Sequence, residues 1–100
     1  MNGVYNEAIK RWGERAQTIK LVEECGELIQ AASKWLNARN DLNRQAMAVN
    51  CIEEIADVEI MIRQFKKILQ PNFTTKVDDL VFDREQEKLL KLRERLDQEG

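Results

Sequence analysis

Leu21-Val22-Glu23-Glu24-Cys25-Gly26-Glu27-Leu28-Ile29-Gln30-Ala31-Ala32 decides how this chain is read. Its apolar residues recur with the 3.6-residue period of an α-helix and not with the alternation of a strand. On a helical wheel with Glu24 at the origin, Leu28, Leu21, Ala32, Cys25, Ile29 and Val22 fill an apolar arc from about 40° to about 160°. Gln17, Lys20, Glu27 and Ala31 fall within about 60° of Glu24, along the edge of that arc. A second stretch, Glu53-Glu54-Ile55-Ala56-Asp57-Val58, repeats the arrangement. With Glu54 at the origin, Val58, Cys51, Leu69, Ile62 and Ile55 make the apolar arc, and Asn50, Asp57 and Met61 flank the acid. Each pair of acids therefore lies in the same phase beside its own apolar stripe. Antiparallel packing of the two stripes would gather Glu24, Glu27, Glu54 and Asp57 in one half-buried cleft.

Working outward, helical periodicity continues through most of the chain. A short first helix is expected over residues 4–12, stopping near Gly13, and a second over residues 14–38. The turn Arg39-Asn40-Asp41 follows, with Asn40 or Asp41 as N-cap of a third helix that reaches Leu69. Pro71-Asn72 breaks the chain. Thr74 or Thr75 is expected to cap a last helical stretch, interrupted near Phe82-Asp83 and ending by Gln98. The expected fold is all-α: a compact bundle of about four helices forming a single domain over residues 1–100. A lone core of this size is only modestly stable, so completion by homo-oligomerisation is expected.

Composition removes several kinds of chemistry. The chain has no histidine, which excludes Ser-His and Cys-His nucleophile pairs, His-ligated zinc and the Glu-x-x-His di-iron sites of helical bundles. Neither a GxxxxGK[ST] phosphate loop nor a GxGxxG turn is present. The formal net charge of −2 provides no basic field for nucleic acid. No apolar run approaches the ~18 residues of a membrane span, and residues 1–10 lack the pattern of a signal peptide. A cytoplasmic protein is expected, with Cys25 and Cys51 as reduced, buried thiols within helices.

Carboxylates at close quarters need a counter-charge. Two of them about 4–5 Å apart repel by roughly 3–4 kcal/mol at an effective dielectric near 20. A cluster stays ionised only with a cation, a shared proton or Lys/Arg partners. An all-oxygen ligand set favours Mg²⁺ first and Mn²⁺ second, ions able to grip a triphosphate and activate water. Spacing alone does not separate such a cage from a solvated acidic face. Three acid pairs stand at i,i+3: Glu24/Glu27, Glu54/Asp57 and Glu94/Asp97. The last lies between Arg93 and Arg95 and reads as a solvated face, whereas the first two edge an apolar stripe.

The run from Leu21 to Leu28 followed by Ala31, together with Glu53-Glu54-Ile55-Ala56-Asp57-Val58, resembles the all-α nucleoside triphosphate pyrophosphatase superfamily, in particular its MazG-like branch. That family carries EExxE on one helix and ExxD on the next. The resemblance covers residues 13–65 well and the C-terminal segment loosely. It implies helical dimers or tetramers that use Mg²⁺, with Mn²⁺ as substitute, to cleave nucleoside triphosphates to monophosphate and pyrophosphate. Carried over residue by residue, Glu24, Glu27, Glu54 and Asp57 are the implied metal ligands. Glu23 matches the first acid of EExxE and would orient water or a second metal, its alternative being a simply exposed acid. Lys20 would reach a phosphate, its alternative role being an ion pair with Glu23 or Glu24. Lys88-Leu89-Leu90-Lys91-Leu92-Arg93-Glu94-Arg95 resembles the family's basic helix, which makes Lys88 and Lys91 the implied phosphate-binding residues. Many relatives have Asn after the second basic residue, where this chain has Leu92.

Glu59 stands where relatives usually carry an apolar residue, and Arg63 at i+4 is its expected partner in an exposed ion pair, a subunit interface being the alternative. Trp12 and Trp35 are candidate base-stacking platforms, but Trp35 continues an apolar stripe and is expected to pack in the core. The resemblance thus implies a self-associating pyrophosphohydrolase acting on an NTP or dNTP, and the charge and hydropathy above add the expectation of no nucleic-acid or membrane partner. A non-catalytic helical protein-interaction module on the same scaffold is the alternative. Within the enzyme reading, dUTP- or dCTP-directed enzymes and phosphoribosyl-ATP pyrophosphatases are the specialised forms.

Overall fold

The computed structural model describes residues 2–100. Among them are four α-helices and no strand: α1 (Asn2–Trp12), α2 (Glu14–Leu36), α3 (Asp41–Leu69) and α4 (Val77–Glu99), with a 3₁₀ turn at Gln70–Asn72. No helix is long and apolar enough to cross a membrane among the described residues. The chain divides into two compact units, Met1–Ile68 and Leu69–Gly100.

In the first unit, helix ends follow local chemistry. Gly13 separates α1 from α2 with φ 90° and ψ 157°, a conformation open to glycine and strained for other residues. Its amide still donates to Ile9 O at 2.8 Å, and its carbonyl accepts from Gln17 N at 3.1 Å. The two helices therefore follow one another without a loop. α2 ends where Asn37 donates both its backbone N–H (3.0 Å) and its side-chain amide (2.8 Å) to Ser33 O. Asn40 then caps α3, its Oδ1 accepting from Asn43 N at 2.8 Å, and Asp41 places an acid in the first turn.

α2 and α3 pack antiparallel. Gln17 contacts Gln64, the Glu27 carboxylate gathers with Glu54, and the Trp35 ring carries Arg44, so partners run in opposite order along the two helices. The buried residues of this pair are Glu24 and Ala31 on α2 and Val58, Met61 and Gln64 on α3. They lie along the acid edge of each stripe, not at its centre. Val22, Ile29 and Leu36, at heptad spacing on α2, are 66–70% exposed, and Leu42 and Ile52 on α3 are similarly open. Two helices meet along a line, so a wide apolar arc on each leaves its far part uncovered.

In the second unit, α4 is continuous through Phe82-Asp83, where an interruption was expected. Neither Thr74 nor Thr75 caps it. Lys76 occupies the N-cap position without a side-chain hydrogen bond, and Gln70 does the work from the 3₁₀ turn. Its Oε1 accepts from Val77 N at 2.9 Å, and its Nε2 donates to Thr75 O at 3.0 Å. Asp78 and Asp79 in the first turn complement the helix dipole, which favours continuation of α4 without a threonine cap. Val77 is the buried residue of this helix.

A candidate metal centre between two helices

Glu24 and Glu27 lie one turn apart on α2, and Glu54 faces them from α3. One carboxylate oxygen from each of the three lies within 4.8 Å of the others. Glu24 is buried at 7% exposure, Glu54 is half-buried and Glu27 is exposed, so the cluster opens to solvent on the Glu27 side. Asp57 stands beside this set without joining it. It lines an adjoining cleft of about 120 Å³ with Lys20, Glu24, Ile60 and Met61.

Charge balance within the cluster is incomplete. Lys20 Nζ lies 3.1 Å from Glu24 Oε1 and 4.0 Å from Glu23. The hydrogen bond to Glu24, then its charge, raises the Lys20 pKa above its ordinary 10.5, so the side chain stays an ammonium. Lys20 reaches one oxygen of Glu24 only. Glu24 Oε2 and Glu54 Oε2 are both buried without a hydrogen-bond partner. Burial raises the Glu54 pKa above its ordinary 4.5, and the charges of Glu27, Asp57 and Glu24 and a hydrogen bond with Glu27 push it further. Such oxygens are costly to leave bare and are satisfied by a proton or a cation. An all-oxygen donor set with two orphaned buried atoms fits a hard divalent ion.

The remaining sequence candidates are dispersed. Glu23 is exposed at the edge of the cluster, next to Lys20. Lys88 and Lys91 stand exposed one turn apart on α4, within the unit Leu69–Gly100. Glu59 and Arg63 form the expected surface pair, 3.9 Å apart. Trp12 is 60% exposed near the end of α1. Trp35 is half-buried instead of fully in the core, and the Arg44 guanidinium lies over its ring at 4.0 Å. Cys25 and Cys51 are free thiols, both half-buried instead of buried as expected, because the helix pair covers only part of each apolar arc.

Sequence reasoning missed Gln64. It is the most buried polar residue among those described, at 4% exposure, and its Nε2 donates to Gln17 Oε1 across the helix pair. Its spacing held a signal: Gln64 follows Asp57 by two turns on the face of Met61, as Gln17 precedes Glu24 by two turns. In comparisons with known proteins, no family model, no curated protein and no solved structure matches this chain.

Proposed function

We propose that this chain is a Mg²⁺-dependent nucleoside triphosphate pyrophosphohydrolase, converting an NTP or dNTP to the monophosphate and pyrophosphate. One observation carries the reading: Glu24, Glu27 and Glu54 converge from two helices and leave two buried carboxylate oxygens without partners. Those three residues would hold the ion, Mg²⁺ or Mn²⁺, and Asp57 beside them would complete the ligand set. When bound, the ion neutralises triphosphate charge and lowers the pKa of a water. Lys20 holds a positive charge at the wall of the cleft and can turn from Glu24 to an entering phosphate oxygen. Glu23, exposed and 4.0 Å from Lys20, would accept the proton of the attacking water. Lys88 and Lys91 are assigned to phosphate binding by resemblance alone.

A cleft of about 120 Å³ is smaller than the ~300 Å³ at which ligand pockets begin, so base and sugar need further walls. Self-association as a homodimer or homotetramer would supply them and would cover Val22, Ile29 and Leu36. The free thiols suit a reducing, cytoplasmic setting. The second reading, a non-catalytic interaction module, is favoured by the same uncovered stripe.

Incubation of the purified chain with Mg²⁺ and a panel of NTPs and dNTPs separates these readings. Monophosphate plus pyrophosphate is the expected outcome. Diphosphate plus phosphate would overturn the cleavage position. No turnover with Mg²⁺ or Mn²⁺ would favour the interaction module.

A further inference from the structure

The seam between α2 and α3 carries a cleft on each side of the acid cluster. Lys20 lies seven residues before Glu27 and Met61 seven residues after Glu54, and both line the small cleft described above. Lys34 lies seven residues after Glu27 and Met47 seven residues before Glu54, and both line a second cleft of about 450 Å³. Seven residues make two helical turns, so each of these positions returns to within about 20° of its acid, about 10 Å along the helix. Ala38 and Asn43, at i+11 from Glu27 and i−11 from Glu54, extend the second cleft on the same faces. Glu27 and Glu54 meet across the seam, so the candidate metal centre stands between the two clefts.

Size and chemistry divide a nucleotide between them. The cleft beside Lys20 is too small for a nucleoside, whereas about 450 Å³ lies within the ~300–1,000 Å³ of ligand pockets. Part of the wall that base and sugar need is therefore present within one chain. Met47 is half-buried there and offers a polarisable thioether to an aromatic ring. The polar lining is rich in donors. Lys34 and Arg39 are exposed and stand in no ion pair among the described residues. Asn37 donates its side-chain amide to Ser33 O, and Asn40 Oδ1 accepts from Asn43 N, so both are partly engaged in ending one helix and starting the next. No carboxylate lines this cleft among the described residues. Lys and Arg donate to guanine O6 and N7, whereas the amino group of cytosine is matched by a carboxylate.

We propose that the cleft at the α2–α3 turn is the nucleoside subsite of the site at Glu24, Glu27 and Glu54, and that it selects a guanine base. Lys34 and Arg39 donate to the carbonyl oxygen and ring nitrogen of the base, and Met47 lies against its face. The triphosphate runs back along the seam over the acids toward Lys20. This assignment rests on the pyrophosphohydrolase reading.

Isothermal titration calorimetry of the full chain with Mn²⁺ tests it with three probes. They are inorganic triphosphate and the α,β-methylene analogues of GTP and CTP, whose scissile bridge is blocked. The guanosine analogue is expected to bind at least ~5-fold tighter than the cytidine analogue, the low end of a bidentate base contact. The double variant Lys34→Gln/Arg39→Gln should bind the two analogues equally. It should bind inorganic triphosphate as the wild type does, because at ~0.15 M salt charges beyond ~8 Å are screened. Circular dichroism should show equal helix content in both proteins. Equal affinity of the wild type for the two analogues overturns the base assignment while the pyrophosphohydrolase reading stands. A double variant that keeps the preference, or loses inorganic triphosphate to the same degree as the guanosine analogue, overturns the roles of Lys34 and Arg39. A wild type without Mn²⁺-dependent binding of inorganic triphosphate defeats the pyrophosphohydrolase reading, and the subsite with it.

Discussion

Gln64 on α3 donates its side-chain amide to Gln17 on α2, two helical turns from Glu24 along the same edge of the helix pair. A buried polar pair of this kind is satisfied in one helix register only, and that register sets Glu27 against Glu54. Gln64→Leu leaves the Gln17 amide without its partner and should cost about 1–3 kcal/mol in urea unfolding. Replacement of both residues by Leu removes the mismatch and should recover most of that loss. A double variant as unstable as the single one would show that the hydrogen bond is incidental to the packing.

Glu54 is held at a disadvantage when ionised, by burial and by Glu27, Asp57 and Glu24. Glu54→Gln keeps the shape and removes a charge. In metal-free buffer at neutral pH it should melt at a higher temperature than the wild type. Millimolar Mg²⁺ should raise the wild-type melting temperature, because the ion binds the folded chain, and should leave the variant nearly unchanged. Equal responses of both proteins to Mg²⁺ would count against the ligand assignment.

The same carboxyl group sets a pH dependence. Its folded pKa lies above the unfolded value of 4.5, so protons bind the folded chain first. Its penalty is fully present above the raised value, is relieved as pH falls through it, and is gone below 4.5. The stability gap between Glu54→Gln and wild type should therefore narrow as metal-free samples are taken from pH 8 toward pH 5. Mn²⁺ affinity should move the other way and fall with pH, since proton and metal compete for the same oxygens. A gap that is constant with pH would contradict the raised value.

The parts of this molecule that depend on neighbours in sequence were legible in it. Gly13, Asn40 and Pro71 mark the helix boundaries through backbone freedom, side-chain capping and a missing amide proton. The common phase of Glu24 and Glu54 on their wheels foretold that they would meet. Residues that act at a distance were not legible. Gln70 caps α4 from seven positions upstream, beyond the reach of any capping pattern, so Thr74 and Thr75 looked the better candidates. A wheel gives the phase of an apolar arc and not the part of it a single partner covers. It could not foresee that Ala31 would be buried while Val22 and Ile29 stayed open. Asp57 shares the edge with Glu54, yet the turn of α3 carries it to the neighbouring cleft beside Lys20.

Two glycines should respond with opposite signs. Gly13 needs its φ of 90°, so Gly13→Ala should destabilise the chain by about 1–3 kcal/mol. Gly26 sits inside α2, and a Cβ there would meet nothing within 4 Å. Gly26→Ala should stabilise α2 by about 0.5–1 kcal/mol, measured by thermal unfolding in metal-free buffer. A destabilised Gly26→Ala would show that something outside this chain's own packing occupies that space.

The central claim is that Glu24, Glu27 and Glu54 form one cation site, and direct titration of Mn²⁺ followed by its electron paramagnetic resonance signal tests it most closely. Glu27 is the exposed member of the set, so Glu27→Gln spares the packing. Saturable Mn²⁺ binding to the wild type, competed by Mg²⁺ and weakened at least ~10-fold in Glu27→Gln, is the expected result. A wild type that does not saturate, or a variant that binds as tightly, would contradict the account.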